Sequence, residues 1–396
     1  MMAAGRAAER GRRVLLLERG PSLGRKLLLS GGGRCNVTNT APLQEFLSVF
    51  GRQGGFLRHA LAAFGSDALR DWLRGRGVET VEEEGGRVFP AAGGARAVLA
   101  ALADYMSAAG VHIGLGERAK SLLIEEGRPV GVRCANSTWK APRVVVATGG
   151  LSYPSTGSTG DGYALARQVG HSVLPTYPIL VGLETGEAWP RGLQGVPIKD
   201  TVVRLRGREE RRLARSQGEA VWTHYGLSGP AVLSVSGAAV QALARDEEVA
   251  LELDLVPFLS AHALEEALGE AARTRGRQAL ETVLAGWVPR RTGAAVLAAG
   301  GLDSHKKMAQ CSRQEQKVIA RAFKCLRLHV SRARPIAEAI VTGGGVDLRE
   351  VDARRMESRL MGGLHFAGET LAAHGPSGGF NMQAALSTGW LAGDNA

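Results

Sequence analysis

The stretch from Gly24 to Asn39, GRKLLLSGGGRCNVTN, gathers residue types that suit a phosphorylated ligand with a flat, electron-rich face. Gly31, Gly32 and Gly33 let the backbone approach such a face closely, because no Cβ stands in the way and positive φ is open to glycine. Arg25, Lys26 and Arg34 surround that backbone with positive charge, and Asn36 adds an amide. A short apolar run precedes the stretch and ends in Glu18, as a strand of a nucleotide-binding α/β unit does. A carboxylate at that place can accept both hydroxyl protons of an adenosine ribose. Taken alone, the stretch also reads as a solvated basic loop.

Three further strands run into glycine. Thr148, Gly149 and Gly150 follow the apolar residues 143–147, Gly343 and Gly344 follow Val341, and Gly368 and Glu369 follow Phe366. In a parallel sheet such ends collect at one edge, where ligands bind outside the carboxyl ends of the strands. With the Gly31–Gly33 run they point to a dinucleotide site. Asp161 is expected to cap a helix over 163–169 and to turn its amides towards the same crevice. Glu369 could accept from a ribityl hydroxyl. Gly378, Gly379, Phe380 and Asn381 open a closing helix over 382–392, whose first amides would favour an electron-rich flavin edge. The bland alternatives are a plain capped helix and surface acids.

The elements that must position these residues alternate in type. A helix over 1–10 leads to a strand at 14–18, a helical pattern over 56–76 breaks near Gly65, and a second amphipathic helix covers 95–109. Short strands are expected at 111–113, 121–125, 130–134 and 143–147. Past Pro175 the texture becomes β-rich, with strands at 179–185, 199–205, 220–223 and 249–255, and then helical from 257. The expected organisation is a discontinuous α/β ligand-binding domain over 1–177 and 335–396, a β-rich insert over 178–256 and a helical insert over 257–334. A chain of 396 residues is long enough for more than one core. No apolar run is long enough to span a membrane, and the four cysteines form no C-x-x-C pair or metal-ligand spacing, so a reduced cytoplasmic protein without metal is expected. The net charge of +11 is spread widely. Its densest block, residues 204–215, RLRGREERRLAR, contains two glutamates and no aromatic on which a base could stack, which argues for a solvated face rather than nucleic-acid binding.

GRKLLLSGGGRCNVTN, GRVFP, ATGGLSYPSTGSTGDGYALA, THYGLSGP, VTGGGV and FAGE together resemble the BaiN-like, aminoacetone-oxidase-type family of flavoproteins, over nearly the whole chain. The resemblance implies a Rossmann-like FAD-binding domain with a β-rich plus helical insert. It also implies FAD as cofactor and hydride transfer through the flavin to or from NAD(P)H or oxygen, on a small-molecule substrate it does not name. The family begins with a strand and a G-x-G-x-x-G turn for the pyrophosphate, and this chain starts after both, so a truncated N-terminus is expected. Two lost charge-assisted amide bonds at roughly 1.5–3 kcal/mol each would weaken FAD binding by about 3–6 kcal/mol. A cofactor-deficient binding protein, engaging RNA through its basic surface, is the alternative. In residues 371–375 relatives often carry acids where this chain has His374, which could relay a proton but reads first as a solvent-facing loop histidine. His224 has the same two readings, and Cys35 reads as a packed small residue. Nothing in the sequence indicates an oligomeric state.

Overall fold

The computed structural model describes residues 1–396 and divides into two compact units, Met1–Tyr177 with Ile340–Ala396, and Pro178–Ala339. In the first unit the helix Met2–Glu9 lies along the closing helix Phe380–Asn395. A Cβ on Gly393 would stand 2.4 Å from the Ala3 carbonyl oxygen, so glycine permits that approach. Parallel strands pair as Leu15–Glu18 with His112–Leu115 and as Val144–Val146 with Leu364–Phe366. Val173–Ile179 joins Val341–Val346 in a third pair. Two antiparallel three-stranded sheets complete the unit: Thr38–Asn39, Arg87–Pro90 and Thr80–Glu83, then Ala119–Glu125, Arg128–Cys134 and Thr138–Lys140.

The parallel strands therefore form separate pairs, and the expected gathering of their ends along one sheet edge is corrected: Leu15–Glu18 is hydrogen-bonded on one side alone. The helical periodicities hold. Gly94–Ala108 buries Val98, Ala101, Leu102, Tyr105 and Met106 on one stripe, and Ser66–Arg74 buries Leu69 and Leu73. All of these but Met106 share a core with Val88 and with Leu27, Cys35 and Val37, which flank the Gly31–Gly33 stretch in sequence.

The second unit is a closed antiparallel barrel. Its strand order is Leu183–Thr185, Gly226–Ser228, Arg212–Thr223, Pro197–Arg206, Ala250–Asp254 and Leu326–Ala333. One apolar core runs from Trp222 in the barrel wall to Phe323 on the helix Arg313–Lys324. Three expectations for this stretch are corrected. The strand read over 179–185 is two elements, Val173–Ile179 and Leu183–Thr185, parted at Leu180 with φ of +55°. The helix Pro230–Leu243 lies inside the range read as β, started by Pro230, whose fixed φ suits a first helical position. Leu326–Ala333, read as helical, closes the barrel, and its alternating burial is the period of a strand. No helix of the protein is long and apolar enough to cross a membrane.

Candidate functional site

The helix Arg25–Leu29 delivers the chain to the glycine run. Gly31, Gly32 and Gly33 have φ of +57°, +65° and +89° and are exposed. No atom lies within 4 Å of where a Cβ on Gly32 would stand, so this backbone presents an open, side-chain-free face. The residues C-terminal to the run anchor it. Cys35 is fully buried, and burial pushes its thiol pKa up, as suits a packed residue rather than a thiolate. The Asn36 amide donates to the Thr38 carbonyl at 3.0 Å and the Val88 carbonyl at 3.1 Å and accepts from the Gly379 amide at 3.0 Å. Asn39 Nδ2 donates to the Gly378 carbonyl at 3.1 Å. Gly379 itself has φ of +93°, and a Cβ there would stand 2.1 Å from the Thr38 carbonyl oxygen. Asn36, Asn39, Gly378 and Gly379 thus tie the loop after the glycine run to the start of the closing helix.

Next to the run stands a charged network. Lys26 Nζ donates to Glu369 Oε2 and to Ser152 Oγ, both at 2.6 Å. Glu369 Oε1 accepts from Ser152 Oγ at 2.8 Å and from the Thr342 amide at 2.7 Å. Thr342 Oγ1 accepts from the amides of Leu151 and Ser152 at 2.8 and 3.1 Å. Four chain segments meet here, with Ser152 and Thr342 fully buried and the Lys26 and Glu369 side chains 28% and 20% exposed. Glu369 is therefore already satisfied by the protein along much of its carboxylate. Ser152 and Thr342 carry no signal in the sequence, where they sit as ordinary members of ATGGLSYPS and VTGGG.

Other expected site residues also make contacts within the chain. A Cβ on Gly150 would lie 2.3 Å from Thr342 Oγ1, and one on Gly162 2.2 Å from Thr148 Oγ1, so Gly150 and Gly162 permit close packing of neighbouring segments. Gly149, at φ of +77°, has its carbonyl oxygen 3.3 Å from the Thr370 hydroxyl. Glu18 Oε1 accepts from the Gly20 amide at 2.6 Å, and the Arg25 side chain runs beside Gly20. Gly368, at φ of +69°, donates its amide to Thr388 Oγ1 at 3.0 Å.

Five expectations are corrected. Asp161 does not cap its helix: Gly160 holds that place, and Asp161, the first residue of Asp161–Gln168, accepts two bonds from Arg118 at 2.9 and 2.7 Å and one from Arg19 at 3.0 Å. Burial pushes its carboxyl up, but Arg118, Arg19 and Thr159 outweigh it and hold the pKa below the ordinary value. Arg34 is not a free cation: it pairs with Glu83 and lies over the Phe89 ring at 4.2 Å. Gly344 is no strand-end glycine: it is buried inside Val341–Val346, and a Cβ there would stand 2.1 Å from the Pro175 carbonyl oxygen. Phe380 is a core side chain, edge-on to Phe46 at 4.8 Å, while Asn381 clamps its own loop through Gly375 and Pro376 at 2.8–2.9 Å.

The fifth concerns His374, which is not solvent-facing. Its Nε2 lies 2.9 Å from Tyr177 Oη and 3.4 Å from Gln53 Nε2, and its amide donates to Gln53 Oε1 at 3.0 Å. Burial pushes the imidazole pKa down, so it is neutral at neutral pH. Tyr177, between two prolines in PTYP, gives no sequence signal. His224 is exposed in the barrel unit with its ring against Tyr225 at 4.9 Å. Two buried histidines are equally unmarked in the sequence. His171 bridges Glu350 at 3.1 Å and Ser358 at 2.7 Å, whereas His365 has both ring nitrogens unpartnered. No group of three or more His, Cys, Asp or Glu could hold a metal ion.

The sequence profile of the HI0933-like protein Rossmann domain matches residues 1–395. The chain is 30% identical over 380 residues to the 3-dehydro-bile acid delta(4,6)-reductase of Clostridium scindens, covering 96% of this chain and 91% of that relative. It is 31% identical over 394 residues to the ribosomal RNA dihydrouridine synthase of Escherichia coli, covering 98% of this chain and 93% of the other. Among solved structures, the 3-ketosteroid delta1-dehydrogenase of Sterolibacterium denitrificans matches with a TM-score of 0.53 at 14% identity, covering 99% of this chain and 96% of that one, a likeness of fold.

Proposed function

The chain belongs to the HI0933-like Rossmann-domain family of flavin-dependent oxidoreductases, and from that premise we propose that it saturates a carbon–carbon double bond conjugated to a carbonyl, in a uracil base of structured RNA. One observation carries the reading: nearly the whole chain is similar to two relatives whose names describe this same bond change. A delta(4,6)-reductase of a 3-oxo steroid and a dihydrouridine synthase both hydrogenate a double bond in conjugation with a carbonyl. The net charge of +11 favours the polyanionic substrate of the two.

The residues present fit FAD. The exposed, left-handed Gly31–Gly33 backbone has room above Gly32 for a flat ring, and the donor set beside it is cationic. Glu18, Arg25, Lys26, Gly31, Gly32, Gly33, Gly149, Gly150, Gly368 and Gly378 would hold it, with Asn36 and Gly379 acting through the loop they pin. Bound there, FAD supplies hydride transfer, with NAD(P)H as the proposed electron source. Glu369 and Ser152 fix the direction of the Lys26 side chain at the site. The protein's own part in saturating the bond is a proton for the carbon next to the carbonyl. His374 Nε2 and Tyr177 Oη share a hydrogen bond able to hold and pass one, in a loop pinned by Gln53 and Asn381.

The test is to incubate the FAD-loaded protein and NADPH with an Escherichia coli ribosomal RNA transcript and to analyse the digested nucleosides by mass spectrometry. Dihydrouridine is the expected product. Its absence, with saturation of a 3-oxo-4-ene steroid in the same preparation, would overturn the RNA assignment.

A further inference from the structure

The surface charge of the barrel unit is paired to different degrees in different places. On the arginine-dense hairpin and the strand beside it, Arg204 and Arg206 bond Glu252, Arg211 bonds Glu247 and Arg327 bonds Glu210, while the exposed Arg208, Arg212 and Arg215 have no carboxylate partner. The helical side carries a larger group. Arg275, Arg277, Lys307, Arg313, Lys317 and Arg321 are all exposed and none has a carboxylate partner. Two acids on the same helices are already engaged, Glu270 by Arg273 at 2.5 Å and Glu315 by Lys306 at 2.7 Å.

The fold brings these cations together. Arg275 and Arg277 lie in the turn after the helix Ala261–Thr274. That turn is locked to the Lys307 segment: the Ala309 amide donates to the Gly276 carbonyl at 3.0 Å, the Met308 amide donates to the Gln278 carbonyl at 2.9 Å, and Ala279 and Lys307 form an antiparallel bridge. Ser312 and Glu315 then form a capping box that starts the helix Arg313–Lys324. This helix packs against Ala261–Thr274, with Gly269 beside Gln316. Arg313, Lys317 and Arg321 are four residues apart and share one face, while Ile319, Ala320 and Phe323 are buried on the other.

We propose that this surface docks the phosphate backbone of structured RNA, an inference that rests on the RNA-substrate reading above. Unpaired like charges held this close repel one another, and a polyanion relieves that repulsion while releasing its own counterions. A cationic face of this kind reads backbone charge and shape, not base sequence. It also gives a use to part of the protein's excess positive charge.

The experiment uses the full-length, FAD-loaded protein and the ribosomal RNA transcript as probe, with affinity measured across a salt series. The variant combines Arg275→Gln, Arg277→Gln, Arg313→Gln and Lys317→Gln, all at exposed positions. Arg208→Gln with Arg212→Gln on the hairpin is the control. Each neutralised phosphate contributes about 0.7–0.9 to the slope of log affinity against log salt, so the four-site variant should lose about 3 from that slope and roughly one to three decades of affinity at low salt. The control should stay within about twofold, and reduction of free uridine should be unchanged in both. Wild-type protein that forms dihydrouridine, beside a variant of unchanged slope, would overturn the surface alone. Wild-type protein with a shallow slope and no dihydrouridine would sink the RNA reading and the surface with it. A variant that loses binding to phosphatidylserine vesicles but not to the transcript would also refute the proposal.

Discussion

Replacing Glu369 tests whether the Lys26 network organises the ligand side of the first unit. The carboxylate accepts from Lys26 Nζ, Ser152 Oγ and the Thr342 amide at 2.6, 2.8 and 2.7 Å. Buried charge-assisted bonds are worth about 1.5–3 kcal/mol each, but the Lys26 and Glu369 side chains remain 28% and 20% exposed, so about 1 kcal/mol per bond is the better figure. Glu369→Ala should then cost about 3 kcal/mol, or roughly 6–12 °C in melting temperature for a unit of this size. Glu369→Gln keeps an acceptor for Thr342 and Ser152 while losing the charge, and should cost about 1 kcal/mol. Paired with Lys26→Met in a double-mutant cycle followed by urea unfolding, it should show a coupling of about 1–2 kcal/mol, and each variant should retain less FAD after desalting. Strict additivity, within about 0.3–0.5 kcal/mol, would refute the reasoning, because it would make the pair an ordinary screened surface contact.

Three further perturbations probe the structure. His365 has both ring nitrogens buried without partners, and burial drives its pKa from 6.5 down to about 4, so between those values the unfolded chain binds more protons and stability must fall as pH falls. Urea unfolding should show roughly 3 kcal/mol lost across that window, and His365→Phe should abolish most of the loss. Gly32→Ala enters open space at φ of +65°, so it should cost only about 1–2 kcal/mol of stability yet strip flavin from the purified protein; undiminished flavin absorbance would remove the run from the site. If His374 holds the transferred proton, product formation should decline as pH rises through its titration, which burial places below 6.5, and His374→Gln should flatten that limb without moving the melting temperature.

Residue type and spacing carried a good deal of this structure. The helical stripes of Gly94–Ala108 and Ser66–Arg74 and the apolar run Val144–Val146 were readable because each follows a single local period. Leu326–Ala333 also alternates, but its neighbours are helices, and nothing local says that it closes a barrel begun at Leu183. The glycines show a sharper limit. Gly32 and Gly344 look alike in sequence, yet the first stands open to solvent and the second has Pro175 where a side chain would go. Which glycine faces a ligand and which faces the chain is decided by contacts between segments far apart in sequence. The same holds for Glu369, whose partner Lys26 lies at the other end of the chain, and for His374, whose partner Tyr177 sits between prolines with no period to mark it.

The central claim is that a flavin held by this chain delivers hydride to a double bond conjugated to a carbonyl. Its most direct test is a single turnover: reduce the FAD-loaded protein without oxygen, remove excess reductant, add the ribosomal RNA transcript, and follow the visible flavin absorbance while quantifying dihydrouridine. Return of the oxidised flavin spectrum in step with dihydrouridine, mole for mole, is the predicted result. A flavin that stays reduced in the presence of the transcript and of a conjugated enone alike would contradict it.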